Sequence, residues 1–181
     1  MMILSRMFGS RGKKKQIARD LLQSISAQSR DERFFGEAGF HDTLEGRLGV
    51  LTTHMILTLR RLRRAGDEGR ELAEVTLQAF MDFVEYGHRE AGAGDFTIGR
   101  KMRAFGETYL GQARVYDEAL DGGEVSLNAV LRRNIGDIVF TPEAIDSFAD
   151  YMKNAASSLD SQSDVDLLKG RIRWPDAEAM A

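Results

Sequence analysis

Cysteine is absent from all 181 residues. That absence excludes disulfides, thiolate zinc sites, iron–sulfur clusters and cysteine nucleophiles together. Proline is nearly absent: only Pro142 and Pro175 occur, so the first 141 residues lack the strongest helix breaker and favour long helices. No apolar run approaches the roughly 20 residues that a membrane-spanning helix needs. The chain therefore reads as soluble, with attachment to a membrane surface left open. Histidine is confined to His41, His54 and His88, which form no i, i+4 pair and stand at no ligand spacing from a carboxylate. No metal and no other cofactor is expected. His54 lies beside an apolar helical stripe and reads as a hydrogen-bonded histidine at the edge of the core.

Acid is missing from one stretch. Residues 1–19 carry Arg6, Arg11, Lys13, Lys14, Lys15 and Arg19 without a single acidic side chain, although the whole chain sums to −3. A basic arm on an acidic body suits an anionic partner, lipid headgroups or nucleic acid, and equally suits a frayed, solvated terminus. The arm lacks the ten-residue apolar run and small-residue cleavage site of a secretory signal.

What is present is ordinary for a globular domain, 43% apolar and 29% charged, at one domain's length. The hydrophobic spacing predicts an all-α fold, a single compact bundle of about six to seven helices with no strand. Residues 1–30 read as a basic arm and first helix, 31–160 as a helical domain and 161–181 as a C-terminal tail. The first helix is predicted over 13–29. A glycine-interrupted loop at 31–41 follows, with Phe34, Phe35 and Phe40 expected to plug into the core. Asp42 is expected to cap the second helix, with Glu45 completing a capping box. That helix uses the stripe Leu48, Leu51, Met55, Leu59, Leu62 and stops at Gly66. A third helix over 68–90 is expected to bury Leu72, Val75, Ala79, Phe80, Phe83 and Val84. A fourth, capped by Thr97, carries Ile98, Met102, Phe105, Tyr109, Ala113, Tyr116 and Leu120. A short helix at 125–135, an extended 136–140 and a helix opened by Thr141-Pro142-Glu143 complete the domain. A brief helical turn near 164–169 precedes Trp174-Pro175.

No catalytic constellation stands out. The serines fit no nucleophile elbow. Gly92-Ala93-Gly94 follows a helix and precedes no Gly-Lys-Ser/Thr, so it reads as a turn rather than a phosphate loop. Cations are more informative. Arg60, Arg61, Arg63 and Arg64 crowd the end of the second helix, where one or two would suffice to complement the helix dipole. The surplus calls for internal acids, such as Asp67, Glu68 and Glu71, or for an external anion. Arg100, Lys101, Arg132 and Arg133 are further partner-binding candidates, although such runs are commonly solvated faces. Gly99 and Gly106 each cost roughly 1 kcal/mol against alanine inside a helix. They point to close approach of a neighbouring helix, or to a groove for a client segment.

Phe40-His41-Asp42-Thr43-Leu44-Glu45-Gly46-Arg47 resembles the Phe-Tyr-Asp-Thr-x-Asp-Gly-Arg segment of the ubiquinol–cytochrome c chaperone family. The likeness continues through Leu51, His54, Leu57–Leu62 with Arg60-Arg61, then Gly92-Ala93-Gly94-Asp95 and Gly99-Arg100-Lys101-Met102. Tyr109-Leu110-Gly111, Tyr116-Asp117-Glu118-Ala119-Leu120 and Leu131-Arg132-Arg133-Asn134 complete it, over about residues 35–136. His41 stands where the family has tyrosine, and Leu110 where it tends to have an aromatic. The resemblance implies a non-enzymatic, all-helical chaperone for cytochrome b of ubiquinol–cytochrome c reductase. Newly made or newly inserted cytochrome b would be the client, the ribosome a possible neighbour, and DNA no partner. It implies structural roles for Phe40, Asp42, Gly46, Arg47, Gly94, Asp95, Gly99, Tyr116 and Asp117. With no presequence or anchor in view, a bacterial member is expected, cytoplasmic or peripheral at the inner membrane face through residues 1–19. The alternative is a helical RNA- or ribosome-binding module using the same arginines.

Overall fold

The computed structural model describes residues 2–180 apart from Ala38, Phe140, Glu178 and Ala179, with the backbone alone for residues 2–11. Among the described residues the elements are α1 (Met2–Gln28), α2 (Leu44–Arg63), α3 (Gly66–Glu90), α4 (Asp95–Leu120), α5 (Leu127–Ile135), α6 (Pro142–Asp160) and α7 (Asp164–Leu167). Two single 3-10 turns, Glu32–Phe34 and Gly136–Ile138, join them, and no strand occurs among the described residues. The all-α expectation holds. The Phe140 end of the predicted extended stretch, and the side chains of Arg6 and Arg11 in the basic arm, lie outside what is described.

α2 is the axis of the bundle. It packs against α1, α3, α4 and α6, and every residue from Val50 to Leu62 is buried. The five-residue stripe read from the sequence is only one of its sides. A helix enclosed all round must satisfy its polar side chains internally. Thr53 and Thr58 do so by donating their hydroxyls to the Gly49 and His54 carbonyls at 3.1 and 2.9 Å.

Helix starts follow local chemistry, with two corrections. Thr43, not Asp42, caps α2: its hydroxyl accepts from the Gly46 N–H at 3.1 Å. The third helical position is then Gly46, so Glu45 closes no capping box, and Asp42 pairs instead with Arg47 at 2.6 Å. α4 is capped by Gly94 rather than Thr97, because the Gly94 carbonyl already accepts from the N–H groups of Thr97 and Ile98. Thr97 turns its hydroxyl back as a donor to that carbonyl at 2.8 Å. Thr141 caps α6, with Pro142 at its first position, as the sequence predicts. The predicted stop at Gly66 is also met, at φ +76°.

Phe34 and Phe40 are fully buried, while Phe35 is half-buried beneath the Arg47 guanidinium, 4.9 Å from its ring centre. Phe83, expected inside, is 39% exposed, and Ala79 is only half-buried, because the core side of α3 is narrower than its apolar pattern. The expected extended run at 136–140 begins as a 3-10 turn and straightens only at Val139, which bridges to Phe40.

The segment beyond α7 folds back onto the core. Trp174 packs edge-on against His54 with ring centres 4.9 Å apart, and Ala177 and Met180 are buried. Gln162 fastens this return by donating to the Arg173 carbonyl at 2.6 Å and accepting from the Arg173 N–H at 2.9 Å.

Candidate functional site

The arginine cluster at the end of α2 is neutralised within the chain. Arg60 and Arg61 are each only 6% exposed. Arg60 reaches Asp121 at 2.6 Å and Asp160 at 3.2 Å, and its Nε lies 3.5 Å from Asp117 without hydrogen-bond geometry. Arg64 donates to both Asp121 oxygens at 2.7 and 2.9 Å. Arg61 donates to the Leu159 and Gln162 carbonyls at 2.9 and 2.7 Å and pairs with Asp164. Arg63 is exposed, lies beside Tyr109, and makes no ion pair among the described residues.

The acids expected to do this, Asp67, Glu68 and Glu71, are not the partners. Asp67 pairs with Arg70 and Glu71 with Lys14. The actual partners come from the ends of α4 and α6 and the start of α7, which the fold brings to the end of α2. The guanidinium groups of Arg64 and Arg60 hold the Asp121 carboxyl below the usual range. Burial pushes Asp117 up against the pull of Arg60 and Arg63.

His54 lies deeper than the core edge. It is wholly buried, with Nδ1 2.8 Å from the Val50 carbonyl and Nε2 2.7 Å from the Tyr151 hydroxyl. A carbonyl only accepts, so Nδ1 carries the proton and Nε2 accepts from Tyr151. Burial lowers its pKa to about 4, so the ring is neutral. Among the described residues no group of three or more His, Asp or Glu side chains could hold a metal ion.

The family-like motif residues divide by burial. Phe40 and Tyr116 are core. Gly46 is dictated by crowding, since a Cβ there would lie 2.0 Å from the His41 carbonyl oxygen. Asp95 pairs with Arg89, and Asp117 faces Arg60. Gly99 and Gly106 are different: a Cβ at either would meet nothing within 4 Å. No neighbouring helix of the chain approaches there, which corrects that expectation.

α4 carries the open surface. Arg100, Lys101 and Arg103 are exposed and form no ion pair among the described residues; Arg133 on α5 behaves likewise, and Arg132 stands 3.8 Å from Asp146. Phe96 is fully exposed, and Tyr86 and Leu110 are 62% and 64% exposed. Between α4 and α5 runs an open cleft of about 680 Å³, lined by Val115, Ala119 and Val130 with Gly111, Ala129 and Arg133 among the rest. Sequence reasoning missed this cleft. Its signals were Leu110, which falls off the buried stripe of α4, and Val125, an apolar residue in the following loop.

Comparison with known proteins gives these surfaces a context. Residues 37–174 match the family model described as ubiquinol-cytochrome C chaperone. The chain is 24% identical over 145 residues to ubiquinol-cytochrome-c reductase complex assembly factor 1 of Xenopus laevis, across 79% of this chain and 72% of the frog protein. Identity to the Mus musculus assembly factor 1 is 23% over 79% of this chain, which spans about half (49%) of the mouse protein. The crystal structure of the Cbp3 homolog from Brucella abortus superposes with a TM-score of 0.83 at 28% identity, covering 98% of each chain. The family match runs past the motifs that end near residue 136, through α6 to the Trp174 that closes on His54. The chain belongs to the ubiquinol-cytochrome C chaperone family, a family of assembly factors and not of enzymes.

Proposed function

We propose that this protein chaperones newly made cytochrome b during assembly of ubiquinol–cytochrome c reductase, at the ribosome or the membrane surface. The observation that carries the reading is the family match over residues 37–174, joined to a likeness in fold over 98% of a Cbp3 homolog. A client-holding role also suits a bundle whose central helix is sealed while α4 leaves Phe96, Leu110 and unpaired cations outside.

Among the candidate partner-binding cations, Arg60, Arg61 and Arg64 are committed to Asp117, Asp121, Asp160 and Asp164. External contact falls to Arg63, Arg100, Lys101 and Arg133, with Arg132 held only loosely. The basic segment 1–19 is the proposed peripheral contact with an anionic membrane face. No helix among the described residues is long and apolar enough to cross a membrane. The reading is tested by pulse-labelling cells that carry the tagged full chain. Newly made cytochrome b should co-purify and chase off as the complex matures; labelled cytochrome b absent from the tagged chain at every time would contradict it.

The RNA- or ribosome-binding alternative rests on Arg100, Lys101 and Arg103, three exposed cations without an acidic partner in the structure. It predicts affinity for RNA that falls steeply with salt. Affinity equal at 50 and 200 mM salt would count against it.

A further inference from the structure

The cleft between α4 and α5 is used by none of the contacts that hold the bundle together. Its volume of about 680 Å³ lies in the range of binding sites. Its wall is apolar and small, with Val115, Ala119 and Val130 below and Gly111 and Ala129 beside them. Leu110 and Val125, 64% and 56% exposed, stand at its two sides. Gly111 sharpens the point. Within a helix it costs roughly 1 kcal/mol against alanine, yet a Cβ there would meet nothing within 4 Å. No described part of this chain requires that space.

The rim is charged in a specific way. Glu118 lies 3.4 Å from Arg114, which leaves Arg133 and Glu124 without an ionic partner among the described residues. An occupant therefore needs an apolar body with an acid toward Arg133 and a base toward Glu124. A single-headed amphiphile would leave one of these unmatched. The backbone form follows from the walls. Both are α-helices whose amides and carbonyls are already bonded along their own axes, so they offer an extended peptide no partners. A segment that satisfies its own backbone can lie there, and small wall residues let two helix axes approach closely.

We propose that the α4–α5 cleft seats an apolar helical segment of the newly made reductase subunit, anchored by a carboxylate on Arg133. This assignment rests on the chaperone reading and adds to it the place of contact. Two wall segments, Tyr109-Leu110-Gly111 and Leu131-Arg132-Arg133-Asn134, are separate family-like motifs that the bundle's packing leaves unexplained and that meet only across this cleft.

The test is made in the full chain, in a strain lacking the native copy. A photoreactive phenylalanine analogue at Val125 should crosslink to a subunit of the reductase identified by mass; the same group at exposed Glu74 on α3 should not. Gly111→Trp fills the cleft from a position where added atoms meet no neighbour, and Arg133→Glu reverses the anchor. Each should lower the crosslink about tenfold or more, equivalent to roughly 1.4 kcal/mol of binding. Each should also fail to restore the complex, with an unchanged thermal melt. Full restoration by both variants in a strain that needs the chain would overturn the cleft and leave the chaperone role intact. A complex that assembles without the chain would instead overturn the chaperone role. Capture of a ribosomal protein from position 125 would contradict the assignment as well.

Discussion

His54 is held as a neutral ring between the Val50 carbonyl and the Tyr151 hydroxyl, and that fixes how the fold responds to acid. Its folded pKa of about 4 lies below the unfolded value near 6.5. Between those values the unfolded chain binds the extra proton, so this contribution to stability falls as the pH drops from 6.5 to 4, by about 3 kcal/mol in total. Urea unfolding at pH 7 and pH 4.5 should show the loss, and His54→Gln should flatten it; equal slopes for both proteins would contradict the assignment. Arginines separate in the same manner. Arg61→Ala strands the Leu159 and Gln162 carbonyls and should cost about 2–4 kcal/mol. Arg100→Ala, on the solvated face of α4, should change stability by less than about 0.5 kcal/mol. The sequence showed that four clustered arginines needed acids. It could not show which, because Asp121 and Asp160 stand 61 and 100 residues from Arg60.

At the scale of elements, glycines with the same sequence signature behave in opposite ways. Gly46→Ala drives a Cβ into the His41 carbonyl and should destabilise by 2 kcal/mol or more (order of magnitude about 2–4). Gly106→Ala adds a methyl group in open space and should stabilise α4 by about 0.5–1 kcal/mol. Thermal melts of the two variants should move in opposite directions. Legibility follows the same line. Helix number and boundaries were readable because Gly66, Thr141-Pro142 and the apolar periodicity act locally. The depth of α2 was not, since its stripe marks one side while α1, α3, α4 and α6 enclose the rest. Thr43 displaced Asp42 as the cap for a comparable reason: the loop places the Thr43 hydroxyl against the Gly46 N–H and commits Asp42 to Arg47.

For the whole molecule, the C-terminal return completes the core. Trp174 covers His54, and Asp176 pairs with Arg33 beside the aromatic loop. Ending the chain at residue 170 should lower the melting temperature by several degrees or more, consistent with a loss of about 3 kcal/mol from the indole alone. The motifs end near residue 136, so sequence reading assigned this segment no role; its contribution is tertiary, made through scattered residues with no period. The candidate site was legible in its parts, the cations of α4 and α5 and the interior glycines. Their convergence across a cleft emerged only when α5 was placed against α4.

The central claim is that the chain is required to assemble ubiquinol–cytochrome c reductase. A strain lacking it, scored for haem b absorbance and for steady-state cytochrome b in its membranes, tests this most directly. The account predicts that both fall while the transcript persists, and that a plasmid copy restores them. Normal haem b and cytochrome b in that strain would contradict it.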